Sequence, residues 1–269
     1  MLFRAVSRAC WRFPKAGCIL SIERSGRVTN WSAGRYMNKA YRHNSKVERV
    51  TRTRQEAKNH YDRLSGWYDL LTDRSERKSR DLGLKLLRLR EGQKALVIGF
   101  GTGHGVLALA AVVGETGKVF GLDISEGMLE VARERVLVAG LADRVELQCG
   151  DATALPFAAA FFDAVFMSFT LELFDTPEIP VVLRECRRVL KAGGRICIVA
   201  MSRQGKERLM VKLYEWAHRR MPSYVDCRPI YVREAIEQAG LQVVDVINNS
   251  IWGLPVEIVQ ALKLDVEES

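Results

Sequence analysis

Three short stretches of this chain carry the groups that could hold a nucleoside-bearing ligand. Gly99-Phe-Gly-Thr-Gly103-His-Gly105 follows an apolar run and opens a helical one. Glycines at such a place let backbone amides approach a ligand beside a helix N-terminus. Asp123 ends a second apolar run, 22 residues after Gly101. A carboxylate there can accept two hydrogen bonds from the vicinal hydroxyls of a ribose. Gly150-Asp151-Ala152 ends a third run. Asp151 can accept from an adenine amino group, and the next amide can donate to a ring nitrogen. Taken singly, the glycines fit an ordinary tight turn and each acid a loop cap. Taken together, they stand at the carboxyl ends of successive strands, where open α/β sheets bind ligands.

The glycine spacing narrows the ligand. A dinucleotide fingerprint needs a third Gly or Ala three residues after the second. Counted from either glycine pair, that position is His104 or Val106. A phosphate-binding P-loop needs Gly-Lys-Ser/Thr, which is absent. An NAD-dependent oxidoreductase is therefore the weaker alternative, although Asp123 alone would suit NAD as well.

The elements that must position these groups follow from periodicity. Runs at 94–98, 119–122, 145–149, 162–168 and 195–201 read as strands, and 126–139 and 178–190 as helices. Residues 55–88 read as helix-rich, with aromatics at Tyr61, Trp67 and Tyr68. Strands alternating with helices imply a doubly wound, mostly parallel sheet. Two late runs, 242–248 and 256–262, read as an antiparallel hairpin at its end.

The length of 269 residues, with 48% hydrophobic and 27% charged residues, is that of an ordinary globular protein and excludes collagen-like and wholly disordered chains. The longest apolar run, 106–113, is far short of the roughly 18 to 20 residues of a membrane span. The net charge of +9 is concentrated at one end: residues 1–60 hold 14 Lys/Arg against 3 Asp/Glu, the other 209 residues 27 against 29. A nucleic-acid face needs charge spread through the domain, so no nucleic-acid partner is expected. Peripheral contact of the basic tail with an anionic membrane stays compatible with it. None of the six cysteines stands in a CxxC pair, so no metal site is expected. Cys149 and Cys197 lie in strand runs and read as small buried hydrophobes.

Residues 1–54 read as a basic, disordered extension. Residues 2–13 place Phe3, Val6, Cys10 and Phe13 on one helical face and Arg4, Arg8 and Arg12 on another, and Pro14 ends the pattern. Three readings stay open for this segment: an organelle transit peptide, simple disorder, or a native start at Met37. The corresponding localisation is cytoplasmic, or mitochondrial if the segment is a transit peptide.

From Tyr61 to Lys191 the chain resembles the class I S-adenosylmethionine-dependent methyltransferases, and within them the ubiquinone/menaquinone biosynthesis C-methyltransferases. The likeness runs through Tyr68-Asp69, Gly99-Phe-Gly-Thr-Gly103, Val113-Gly-Glu-Thr-Gly-Lys-Val119 and Asp123-Ile-Ser-Glu-Gly-Met-Leu129. It continues through Asp151-Ala-Thr-Ala-Leu-Pro-Phe157, Phe162-Asp163, Ser168-Phe169 and Arg188-Val-Leu-Lys-Ala-Gly-Gly-Arg195. The resemblance implies an α/β, Rossmann-like doubly wound sheet of seven strands, mostly parallel with an antiparallel last strand, and helices on both faces. It implies one methyltransferase domain over residues 55–265 and S-adenosylmethionine as cofactor. The implied cofactor residues are Tyr68, Gly99, Gly101, Thr102, Gly103, Asp123, Asp151, Ala152 and Ser168. It further implies a small-molecule acceptor, quinol-like or otherwise lipophilic. The acceptor itself, the atom methylated and the oligomeric state are not fixed by these residues.

Two positions depart from the pattern. The superfamily usually has an acid two residues before the first glycine, where this chain has Val97. The quinone branch usually follows its Ser-Phe with Arg-Asn, where Glu172-Leu173 stand. Val97 favours a rival reading, a non-catalytic binding protein on a degenerate methyltransferase fold, which Asp123 and Asp151-Ala152 oppose. A carboxylate at position 97 is expected to tighten cofactor binding and lower the stability of the ligand-free chain. A sulfonium methyl needs no activation, so a general base is required only for a protonated acceptor. Candidates are His104, Glu172, His218 and Tyr224. Each also has an ordinary reading, as a helix cap, a solvated side chain or part of a charged helix. Tyr61, Trp67 and Tyr68 fit either a lid over the cofactor or plain core.

Overall fold

The β-branched and aliphatic runs seen in the sequence become the strands of one sheet, whose central strands are buried on both faces. A computed structural model of the chain describes residues 21–22, 28–29, 56, 58–59, 61–62, 74–204 and 228–264. Its strands are β1 (Lys94–Ile98), β2 (Lys118–Asp123), β3 (Val145–Cys149), β4 (Phe162–Ser168), β5 (Leu190–Met201), β6 (Gln242–Ile251) and β7 (Leu254–Leu262). Their order across the sheet is β3-β2-β1-β4-β5-β7-β6. Only β7 runs against its neighbours, antiparallel to both β5 and β6. The expected seven-stranded sheet with an antiparallel last strand is therefore what forms, and the late hairpin is its edge. Residues 21–22 and 28–29 form a separate two-residue antiparallel pair.

The helices are α1 (Arg74–Leu86), α2 (His104–Val113), α3 (Glu126–Val138), α4 (Ile179–Val189) and α5 (Val232–Gln238). The strict alternation of β1 assigns them to faces. Ala95 and Val97 pack in the cluster that holds α1, α2 and α3, whereas Leu96 and Ile98 pack with α4 and α5. The chain winds outward through β1, β2 and β3, then returns to lay β4 beside β1. That reversal opens a crevice above the carboxyl ends of β1 and β4.

Two sequence expectations need adjustment. The fifth strand begins at Leu190, not at residue 195: Phe162 pairs with Leu190 and Ala164 with Arg195, so Lys191-Ala-Gly-Gly194 is taken up in a bulge. Cys149 is exposed, its thiol donating to the Ile124 carbonyl at 3.2 Å, while Cys197 is buried as read. The final residue of an edge strand emerges at the loop end, which alternation alone does not reveal. The readings of residues 1–20, and those of Trp67, Tyr68, His218 and Tyr224, lie outside the described residues. Among the described residues no helix is long and apolar enough to cross a membrane.

Candidate functional site

The glycine loop between β1 and α2 is shaped by two opposite demands. Gly99 has φ +66° and donates its amide to the Leu122 carbonyl at 2.8 Å. A Cβ on it would lie 2.3 Å from the Thr170 side chain, so the loop is pressed against the end of β4. Gly101 has φ +53°, and a Cβ there would meet nothing within 4 Å. The loop is therefore crowded at Gly99 and open at Gly101. Gly103 caps α2 in a left-handed conformation and supplies no side-chain cap. Thr102 is buried between them.

Asp123 ties the three loops together. Its Oδ2 accepts the Gly101 amide at 2.9 Å and its Oδ1 the Ser125 amide at 3.0 Å. Its own carbonyl accepts the Gly150 amide at 2.8 Å, which anchors the end of β3. Burial pushes the carboxyl above its ordinary value, and the amides of Ser125, Gly101 and Ile124 pull it back. A carboxylate has about four acceptor sites, so acceptor capacity remains for a ligand.

Asp62, in the helical segment ahead of α1, was not singled out from the sequence. Its Oδ1 accepts the Ser125 hydroxyl at 2.6 Å and the Gly127 amide at 3.0 Å. Ser125 in turn accepts the Met128 amide as the N-cap of α3. Lys58 bridges Asp62 at 3.1 Å and Glu126 at 3.3 Å. Desolvation works to raise the Asp62 carboxyl, but the hydrogen bonds from Ser125, Gly127 and Lys58 prevail and hold it low. The segment before α1 is thus fastened beside Asp123. The available signal was the repeat Tyr61-Asp62 and Tyr68-Asp69, seven residues or two helical turns apart.

The loop carrying Asp151 is held from α4. Asp151 Oδ1 accepts the Thr153 amide at 2.9 Å, and Ala152 is buried. Arg188 donates to the carbonyls of Phe157 at 2.7 Å and Leu155 at 2.9 Å. Glu185 accepts the Leu155 amide at 2.9 Å and pairs with Arg188 at 2.7 Å. Phe157 closes the loop edge-on against Phe162 and Phe120. Arg188→Ala is expected to lower stability by about 1–2 kcal/mol, since two carbonyls lose a charged but partly exposed donor. It should also weaken a ligand that uses Asp151 and Ala152. Thermal melts with and without ligand check it; an unchanged ligand-induced shift would mean the loop keeps its shape without the clamp.

The structure thus brings Gly99, Gly101, Thr102, Gly103, Asp123, Asp151 and Ala152 to one edge of the sheet. Ser168 ends β4, beside β1, and its carbonyl accepts the Thr170 hydroxyl. Tyr61 packs against the core cluster of α1 to α3. His104 begins α2, and its Nε2 lies 2.9 Å from Nη1 of Arg135, which also donates to the Thr102 carbonyl at 3.1 Å. A guanidinium only donates, so Nε2 accepts and Nδ1 carries the proton. His104 is a structural partner of α3 in this arrangement. Among the described residues no group of three or more His, Cys, Asp or Glu could hold a metal ion.

Glu172 is not the solvated side chain that its sequence context allowed. It lies fully buried in the short turn Leu171–Leu173 after β4. Its Oε1 accepts the Met201 amide at 3.1 Å, at the end of β5. Burial pushes its carboxyl up to about 8, Glu76 adds to the rise, and the Met201 amide and Arg228 oppose it. The folded chain keeps a proton there that the unfolded chain releases above its ordinary value of 4.5. The stability this group contributes is therefore present below pH 4.5 and lost as the pH rises to about 8. Glu172→Gln is expected to flatten that part of the melting-temperature profile; parallel profiles for the two proteins would contradict it.

Residues 42–226 match the ubiE/COQ5 methyltransferase family. The chain belongs to that family. It is 38% identical over 157 residues to a demethylmenaquinone methyltransferase of Geobacillus kaustophilus, which covers 58% of this chain and 64% of the relative. It is 34% identical over 158 residues to the Bacillus subtilis demethylmenaquinone methyltransferase, covering 59% and 65%. The chain thus matches less than two thirds of the length of these curated relatives. A crystal structure of a SAM-dependent methyltransferase from Aquifex aeolicus superposes with a TM-score of 0.53 at 26% identity, covering 69% of this chain and 89% of that one. The ubiE/COQ5 assignment agrees with the Rossmann-like sheet order and with the crevice built at Asp123.

Proposed function

We propose that this chain transfers the methyl group of S-adenosylmethionine to a lipophilic small-molecule acceptor of quinol-like type. The observation that carries the reading is Asp123, a buried carboxylate that organises three loops and keeps acceptor capacity beside the open space over Gly101. The residues fit the cofactor. Asp123 would take the ribose hydroxyls, Asp151 and the Ala152 amide the adenine, and the loop from Gly99 to Gly103 the amino-acid end. Tyr68 and Ser168 complete the set that the family resemblance implies. The bound cofactor supplies an electrophilic methyl on a sulfonium, so the protein's own work is to align the acceptor and exclude water. The catalytic unit in this reading is residues 55–265, with 1–54 as an appended basic segment. The relatives named for demethylmenaquinone support the acceptor class.

Calorimetry with S-adenosylmethionine and, separately, with NAD tests the cofactor. Binding of the first and not the second is expected; the reverse would favour an oxidoreductase. Transfer of a radiolabelled methyl to a chemically reduced short-chain demethylmenaquinone tests the activity. Binding without transfer to this or any other quinol would favour the non-catalytic binding protein.

A further inference from the structure

The turn between α1 and β1 meets the start of β5 in a group of cations. Burial alternates along Leu87-Arg88-Leu89-Arg90: both leucines are buried and both arginines are exposed. The leucines anchor the turn and leave the two arginine side chains in solvent. Arg88 has φ +51°, a conformation that strains a non-glycine residue and that glycine adopts freely. What the position gains from arginine is therefore its side chain. Gln93 joins this turn to the sheet. Its Oε1 accepts the Arg90 amide at 2.9 Å and Nη2 of Arg195 at 3.1 Å. The Arg195 guanidinium thus lies beside the Arg90 backbone. Arg195 pairs with Ala164 near the start of β4, so the group stands at the amino ends of the strands. Asp123 and the crevice stand at the opposite, carboxyl ends.

Arg195 is half-buried, and most of its donors are unengaged. A guanidinium has five N–H donors. One goes to Gln93, and Nε is buried without a partner. The charged groups facing Arg195 are Arg90, Asp163 and Arg88. Burial comes first among the causes that weaken its hold on its proton, and the two neighbouring arginines add to it. Asp163 opposes them, but both its oxygens are already engaged. Its Oδ1 accepts Lys191 at 2.7 Å and its Oδ2 the Lys94 amide at 2.8 Å. Among the described residues, neither Arg88 nor Arg90 has a side-chain hydrogen bond or an ion pair. Like charges gathered in this way repel, and an oxyanion between them relieves the repulsion. The planar guanidinium fork matches a pair of phosphate oxygens. Three cations favour a dianion over a monoanion.

We infer that Arg88, Arg90 and Arg195 form a binding site for a phosphate monoester dianion, at the end of the sheet opposite the cofactor crevice. The site goes beyond the methyl-transfer reading and stands whichever cofactor the crevice takes. Two sources carry the group: a free phosphate ester and a phosphatidic acid headgroup. Glycerol 3-phosphate is titrated into the full chain by calorimetry at constant ionic strength, with the monoanion dimethyl phosphate as its control. In a second arm the protein is pelleted with phosphatidylcholine vesicles, with and without phosphatidic acid. Wild type should bind at least one of the two monoesters, and prefer it to its control by about tenfold, the effect of one further charged hydrogen bond. Arg88→Gln and Arg90→Gln change exposed side chains, so each should keep the wild-type melting temperature. Each should weaken binding by about fivefold, the upper effect of an exposed ion pair. Arg195→Lys keeps the charge and loses the fork, and should weaken binding by about tenfold. Binding of the free ester assigns the site to a small molecule, and binding of the vesicles alone assigns it to a lipid surface; either upholds the inference. Two other charged stretches could account for a different result: the basic residues 1–60, and Asp265, Glu267 and Glu268 beyond β7. Binding that keeps its wild-type strength in all three arginine variants belongs to the basic stretch and overturns the inference. Binding that appears only when Asp265→Asn, Glu267→Gln and Glu268→Gln are combined gives the patch to the acidic stretch and overturns it as well. So does the absence of binding in both arms, or dimethyl phosphate binding as tightly as the monoester.

Discussion

Asp123→Ala should weaken S-adenosylmethionine binding by on the order of a hundredfold or more, as two charge-assisted hydrogen bonds to the ribose are worth roughly 1.5–3 kcal/mol each. The structure adds a second route to the loss. The same carboxylate holds the amides of Gly101 and Ser125, so its removal also loosens the glycine loop and the turn into α3. Those amides would be left partly buried without an acceptor. Two variants separate the routes. Asp123→Asn keeps one acceptor oxygen near the amides and loses the charge, so it should retain more stability than Asp123→Ala while still binding weakly. Calorimetry gives the affinity and thermal melts the stability. Near wild-type affinity in both variants would mean that the ribose is held elsewhere and that the crevice at Asp123 is not the cofactor site.

The sheet was legible because its central strands are buried on both faces. Runs such as Lys94–Ile98 and Phe162–Ser168 have no amphipathic ambiguity, and their boundaries in the structure agree with the apolar runs. Leu190–Met201 was read short because Lys191-Ala-Gly-Gly194 has the composition of a turn, while pairing with β4 through a bulge makes it strand. The candidate site residues Gly99, Gly101, Asp123 and Asp151 could be singled out because backbone approach and sugar recognition need particular residue types at particular spacings. The supports could not. Asp62, Glu185 and Arg188 act through contacts 30 to 65 residues away in sequence, which no local pattern encodes. Glu172 could be named as a titratable candidate, but a single acid in a mixed stretch gives no sign of burial. That needed the Met201 amide, 29 residues on, to be placed beside it.

Val97→Glu should produce opposite effects in the empty and the loaded protein. Val97 is 3% exposed and lies in the cluster of β1, α1, α2 and α3. Its Cγ1 is 4.0 Å from where a Cβ on Gly105 would stand, in the first turn of α2. That turn has no acid and no side-chain cap, so a carboxylate at 97 would gain helix-end stabilisation of about 0.3–2 kcal/mol. Against this stands the penalty for burying an ionised carboxylate without a full partner, several kcal/mol in effect. The burial term is larger, so the ligand-free variant should melt lower than wild type by the equivalent of about 2 kcal/mol or more. The loss exceeds what the position's neighbourhood in sequence implied, because the side chain sits in packed core. With S-adenosylmethionine bound, the ligand's ammonium and nearby sulfonium supply the missing positive charge. Affinity should then rise by about tenfold, the worth of a hydrogen bond between charged groups at the low end. The ligand-induced gain in melting temperature should accordingly be larger in the variant than in wild type. Val97→Gln isolates the charge: it adds the same bulk, should destabilise less, and should bring no gain in affinity. Weaker binding by Val97→Glu than by Val97→Gln would show that another acid already meets the ammonium, and that valine at this position does not mark a decayed site.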